Sequence, residues 1–262
     1  MNIVNITSRT NDTVVSLSKL KDKKGRDEQG MYLCEGYKLC AEAVNFCDVQ
    51  YAVLREDRSE NNEYTALCEA SGASVMLVLS SGAFDKITSD KASDGIIFVN
   101  KIENSGIENA EDINNERICA LDSVRDPGNV GTIIRSAAAL GFDRVVMWDC
   151  ADIYNPKTVR ATMGAMFKIS VTRVHDGVDF IREMQKSGRR VIAAALSEDG
   201  LTLGKSEIRS SDIPVLGNEG HGVSPEIIET CDNTMIIPMS GKTESLNAAA
   251  AAAIILWEYS RI

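Results

Sequence analysis

Downstream of residue 117 the chain alternates between short apolar runs and stretches whose apolar residues recur at helical spacing. RICALDSV, RVVMWDC, KISVTRV, RVIAAAL, IPVLGN and TMIIPM read as strands. Between them TIIRSAAALG, closed by Gly141, NPKTVRATMGAMF, VDFIREMQKSG, ended by Gly188, SPEIIETC and SLNAAAAAAIILWEYSRI read as helices. Continuous apolar strands separated by helices predict a parallel sheet covered on both faces. In such sheets ligands bind at the carboxyl ends of the strands, so the loops there carry the functional reading.

The first hundred residues alternate less sharply. A helix is expected around Thr13–Leu20, then MYLCEG as a strand, a helix from Lys38, YAVLR and SVMLVLS as strands, and GIIFVN as a closing strand. That is a small α/β domain covering 1–100. The segment 101–116, KIENSGIENAEDINNE, holds five carboxylates against one lysine and reads as a linker or exposed loop. The larger domain then covers 117–262. Its one biased stretch is the alanine run Ala248–Ala253, read as part of a helix that is apolar all round and therefore buried.

At 262 residues the chain has room for one large domain or two modest ones, each with a core. No apolar run is long enough to span a bilayer, and MNIVNITSRTNDTVV lacks the basic end and apolar stretch of a secretory signal. Seven cysteines without a CxxC pair suit a reducing compartment and argue against a disulfide framework or zinc site. A cytoplasmic protein with no metal is the expectation. The formal charge of −10 weighs against a polyanionic partner. Its distribution is uneven, however: Lys19, Lys21, Lys23, Lys24 and Arg26 face a single carboxylate, Asp22, in that stretch. On charge alone a solvated helix end or loop explains that cluster better than a phosphate contact does.

Three loops stand out. In RDPGNVGTIIR, 125–135, Pro127, Gly128 and Gly131 permit a tight turn, Asn129 can cap a helix or bind a ligand, and Arg135 would point back toward the loop from one turn inside. The loop is neither GxGxxG nor a P-loop, which excludes a dinucleotide oxidoreductase reading. LGNEGHGVSPE, 216–226, exposes much backbone, has Glu219 as the one carboxylate in its turn, and places Ser224 and Pro225 to start a helix. In IIPMSGKTESLNAAA, 236–250, Ser245 or Thr243 can cap the last helix, with Asn247 in its first turn.

NVGTIIR, GNEGHGVS and IPMSGKTESLN occur in the order and spacing of the three motifs of the SpoU (TrmH-like) RNA 2′-O-ribose methyltransferases, and the chain resembles that family strongly over 117–262. More weakly, KKGRDEQGMYLCEGYKLCAEAV looks like the small L30e-like RNA-binding domain that many members carry. The resemblance implies a carboxyl domain with a deep trefoil knot, working as a homodimer and using S-adenosylmethionine. It places Gly217, Gly220, Ile237, Met239 and Leu246, with Leu196 as an addition, at cofactor contacts. It matches Asn129, Arg135, Glu219, Ser245 and Asn247 to the polar positions of the catalytic site. The reaction implied is attack of a ribose 2′-oxygen on the cofactor's methyl group. Arg135 is often given the role of base in the family, but a guanidinium hardly ever deprotonates, so holding the adjacent phosphate suits it better. His221 is a competing base whose plainer reading is a solvent-facing loop histidine. On this reading the amino domain selects the RNA, with Lys19, Lys23, Lys24 and Arg26 touching phosphate. Ribosomal RNA is the expected substrate, against a tRNA ribose methyltransferase or a non-catalytic RNA-binding assembly factor.

Overall fold

The computed structural model describes residues 1–103, 113–197, 199–241 and 245–262. Most of the expected linker, and Thr243, lie outside the described residues. The first elements are β1 (Asn2–Ile6), α1 (Asp12–Ser18), α2 (Lys23–Gln29), β2 (Met31–Glu35), α3 (Tyr37–Ala43), β3 (Val49–Arg55), α4 (Asn62–Ala70), β4 (Val75–Leu79), α5 (Ser81–Ile87) and β5 (Ile96–Lys101). Then follow β6 (Ile118–Asp122), α6 (Pro127–Ala139), β7 (Arg144–Trp148), α7 (Pro156–Thr162), β8 (Ser170–Arg173), α8 (Gly177–Lys186) and β9 (Val191–Ala194). The chain closes with β10 (Leu201–Thr202), β11 (Ile213–Leu216), α9 (Pro225–Thr230), β12 (Asn233–Ile236) and α10 (Ala248–Ser260).

The chain divides into two compact units. The first holds Met1–Glu103 together with Asp152–Phe167. Its sheet runs β1-β4-β3-β5-β2, with β5 antiparallel to both β3 and β2. Successive strand residues face opposite sides. Leu33, Val53, Leu77 and Val99 pack with Leu17 and Phe84, while Cys34, Ala52, Met76 and Phe98 pack with Leu39, Cys68 and Val159.

Asp152–Phe167 departs from the sequence reading, which placed it in the carboxyl domain. Its contacts show why it belongs with the first unit. The Tyr154 ring lies 4.8 Å from that of Tyr32, Val159 is buried in the core just described, and Arg160 Nη1 donates to Ser89 Oγ at 2.6 Å.

A second departure concerns Arg26, expected at RNA phosphate. It is 2 % exposed. Its Nε and Nη2 donate to Asp152 Oδ2 at 3.0 and 2.7 Å, and Nη1 donates to the carbonyls of Leu20 and Lys21. A guanidinium so enclosed ties α7's approach to the first turns of the chain and has no donor fork left for a phosphate. Lys19, Lys23 and Lys24 remain exposed, and the stretch from Lys23 to Gln29 forms a helix of its own.

The second unit holds the described residues from 113 to 151 and from 168 onward. Its seven strands run β10-β12-β9-β11-β6-β7-β8, and every pairing is parallel, in agreement with the pattern of apolar runs. Ile118, Ala120, Val146, Val191 and Val215 pack on Phe180, Ile181 and Met184 of α8 and Ile227 of α9. Helices α6 and α10 pack against one another and reach β7 and β11. The last helix is not buried all round as its composition suggested. It buries Ala249, Ala252, Ile255, Leu256 and Tyr259, and leaves Ile254 and Trp257 exposed, because α6 and the sheet cover one side only.

Arg26→Ala should therefore act on stability. Removing one partner of a buried ion pair costs about 3–5 kcal/mol, which a fall in the urea midpoint of unfolding would register. A change confined to RNA affinity would contradict this structural role.

Candidate active site

The strand order turns at β6, with β7 and β8 on one side and β11, β9, β12 and β10 on the other. The crevice at such a switch point lies outside the carboxyl ends of the strands. After β6, Ser123 takes a left-handed φ of 56°, unusual without glycine. Asp126 then caps α6, accepting from Asn129 N at 2.9 Å. The helix thus begins at Pro127, earlier than the sequence suggested, and Asn129 sits in its first turn instead of capping it. Arg135 is exposed six residues further on, about 240° round the helix from Asn129.

The loop after β11 is tied down by Asn218. Its backbone exchanges bonds with Gly222 in both directions, at 2.8 and 3.0 Å. Its Oδ1 accepts from the backbone of Gly220 and His221, and its Nδ2 donates to Ser123 O at 2.8 Å. Gly222 closes the turn with φ of 71°, which glycine adopts without steric penalty. At Gly217 the constraint is space, since an added Cβ would collide with the backbone of Gly222 and Val223. Below the loop, buried Asp122 accepts from Trp148 Nε1 at 3.0 Å and from Ser224 N at 2.6 Å. Ser224 does start α9, but its hydroxyl makes no cap bond.

Glu219 joins these two loops. Its Oε1 accepts from Asp126 N at 3.2 Å and Asn129 Nδ2 at 2.8 Å, and its Oε2 from Arg125 N at 3.4 Å. Burial alone would push the carboxyl up, but the bonds from Asn129 and the backbone outweigh it and hold Glu219 below the usual glutamate range. Asn129 Oδ1 in turn accepts from Asn247 Nδ2 at 3.1 Å. Asn247 is itself the cap of α10, its Oδ1 accepting from Ala249 N and Ala250 N, in the place expected for Ser245 or Thr243.

Beside this chain of amides lies a cavity of about 470 Å³. It is framed by the ends of β9, β11 and β12 and the start of α10. Leu196, Gly217, Gly220, Ile237, Met239 and Leu246 all line it, as do Glu219 and Ser245. Leu196, 83 % exposed, stands at its rim. Asn129 and Asn247 adjoin it through Glu219, while Arg135 belongs to neither the lining nor the amide chain. The thiols of Cys119, Cys150 and Cys231, pushed up to about 12 by burial, offer no thiolate. Among the described residues no group of three or more His, Cys, Asp or Glu could hold a metal ion.

The SpoU rRNA methylase family matches residues 116–257. The chain belongs to that family. An MRM3-like substrate binding domain matches residues 11–97. The 23S rRNA (guanosine(2553)-2′-O)-methyltransferase RlmP of Bacillus subtilis is 32 % identical over 253 residues, 96 % of this chain and 97 % of that one. The 23S rRNA (uridine(2479)-2′-O)-methyltransferase of Streptomyces viridochromogenes is 36 % identical over 146 residues, 54 % of this chain and 51 % of that one. An rRNA methyltransferase from Sinorhizobium meliloti, solved with S-adenosylmethionine bound, has a TM-score of 0.83 and 30 % identity, covering 99 % of this chain and 98 % of that one.

The cavity of this SpoU methylase fits that cofactor. Its volume falls in the range of about 300–1,000 Å³ usual for small-molecule sites, and its wall is mostly aliphatic with backbone groups at the edge. An apolar wall suits a flat base and an aliphatic chain, and exposed amides and carbonyls fix their polar edges. Motif reading passed over Asn218, Asp122 and Asp126, whose work is to hold loops through backbone bonds. The signal available was position, since Asp122 ends β6, Asn218 stands two residues past β11 and Asp126 immediately precedes α6.

Gly217→Ala should weaken cofactor binding with the helical content intact. Overpacking of about 1–3 kcal/mol corresponds to roughly fivefold to a hundredfold in Kd, measurable by titration calorimetry. Unchanged affinity would show that the loop tolerates the Cβ.

Proposed function

We propose that the chain transfers the methyl group of S-adenosylmethionine to a ribose 2′-hydroxyl of RNA, and that the RNA is ribosomal. The observation that carries this is the apolar cavity at the carboxyl ends of β9, β11 and β12, bordered by Glu219, Asn129 and Asn247. Family membership and the named activities of the relatives point the same way. When bound, the cofactor supplies an electrophilic methyl group on a sulfonium. On this reading Gly217, Gly220, Ile237, Met239 and Leu246, with Leu196 at the rim, hold it against the loop backbone. Glu219, Asn129, Ser245 and Asn247 keep the loops in register.

Arg135, exposed on α6, holds the phosphate next to the reacting ribose, because guanidinium binds phosphate bidentately and does not give up its proton. The first unit selects the RNA, and the exposed Lys19, Lys23 and Lys24 are its phosphate contacts. Its L30e-like character, the deep trefoil knot of the second unit and a cytoplasmic location complete the reading. A crystal trace that pulls straight from both ends would refute the knot.

With labelled cofactor and ribosomal RNA, the protein should place label in a 2′-O-methyl nucleoside, and Arg135→Ala should abolish it. Cofactor binding without transfer to any RNA would favour a non-catalytic factor instead. The same reading includes a homodimer, supported by the exposed Ile254 and Trp257, 57 % accessible, on one flank of α10. Trp257→Glu should convert a dimer to a monomer in sedimentation, and a monomeric parent protein would end that part of the proposal.

A further inference from the structure

The described residues that line the cavity include two titratable side chains, Glu219 and His221. A methyl transfer to a hydroxyl oxygen needs a group to take the hydroxyl's proton. Glu219 is poorly suited, because both its oxygens already accept hydrogen bonds, from Asn129, Asp126 and Arg125. Those bonds stabilise the bare carboxylate and lower its basicity.

His221 is held differently. Its Nδ1 lies 3.3 Å from Oδ1 of Asn218. Which atom of that amide is oxygen is settled by the other partners. Oδ1 meets two backbone N–H groups, of Gly220 and His221, while Nδ2 meets the carbonyl of Ser123. Turning the amide over would set donors against donors and a carbonyl against a carbonyl. The ring atom facing Asn218 Oδ1 must therefore carry a hydrogen, because two acceptors would repel. A neutral imidazole has one N–H, so Nε2 keeps its lone pair.

We propose that Nε2 of His221 is the general base of the transfer, an inference that rests on the reading given under Proposed function. As the 2′-oxygen bonds to the methyl carbon, the carbon–sulfur pair returns to sulfur and the 2′-hydroxyl proton passes to Nε2. The products are the 2′-O-methyl ribose, the thioether and an imidazolium, which then loses its proton to water. Asn218 is the positioning residue that fixes the tautomer.

The test combines a spectrum and a rate. Nitrogen NMR of the full chain is simple to assign, since there are two histidines and His221→Ala removes one of the signals. The His221 ring should show a protonated Nδ1 and an unprotonated Nε2 in the neutral form. In the assay with labelled cofactor and ribosomal RNA, His221→Ala and His221→Gln should lose about 10²- to 10⁴-fold in kcat, with cofactor and RNA affinities unchanged. Added imidazole should restore part of the rate of His221→Ala. A proton on Nε2, a retained kcat, or a loss that imidazole does not mend would each overturn the proposal. Absence of transfer by the parent protein would instead overturn the methyltransferase reading beneath it.

Discussion

The Glu219 carboxylate meets three N–H donors that the chain supplies from 90 to 94 residues away. The loops it joins are rich in glycine and polar residues. What the first loop offers the second is three N–H donors, two from the backbone and one from the Asn129 amide, and an anion aimed at them is a fitting partner. Through Asn129 the same interaction reaches Nδ2 of Asn247, whose Oδ1 accepts from the first turn of the last helix. One carboxylate thus sets the relative positions of the exit of β6, the turn after β11 and the start of α10. The wall of the cavity depends on all three.

The sheet beneath makes this economical. Parallel strands apolar on both faces place all their carboxyl ends on one edge, and the reversal of strand order at β6 opens a crevice there. Buried Asp122 bonds both Trp148 and the backbone of Ser224, so the base of the second loop is fixed to the core. Breaking such a network leaves a buried charge without partners, which is why a polar residue is tolerated at that depth. The glycines have a complementary part. Gly217 leaves the returning strand of its own loop the room a side chain would take.

Much of this was legible in the amino-acid sequence. The apolar runs from RICALDSV to TMIIPM are strands of one parallel sheet, because a strand buried on both faces has no polar alternation to blur it. The second and third motif loops line one cavity, and the first is joined to them through Asn129 and Glu219. What escaped the reading was decided by partners distant in sequence. Arg26 looked like part of a surface cluster until Asp152, far along the chain, enclosed it. NPKTVRATMGAMF shows a helical pattern but carries no sign of which core will receive it, and the core of the first unit does so through Val159, Met166 and Phe167. Helix starts were misplaced where two capping residues competed. Asp126 displaced Asn129, and Asn247 displaced Ser245, each because its side chain also had a bond to make or a neighbour to free. The alanine-rich helix was read as enclosed because composition gives apolarity and not how many sides are covered.

The central claim is that Glu219 and Asn247 act on the cavity as one connected unit through Asn129. A double-mutant cycle on cofactor affinity measures that directly, with Glu219→Gln, Asn247→Ala and the pair compared by calorimetry. Residues in one hydrogen-bond network couple by about 0.5–3 kcal/mol. The account predicts a coupling of that size, with the double variant losing less affinity than the two single losses added together. Losses that add within about 0.3–0.5 kcal/mol, the margin for independent sites, would show that the loops are held separately and contradict the account.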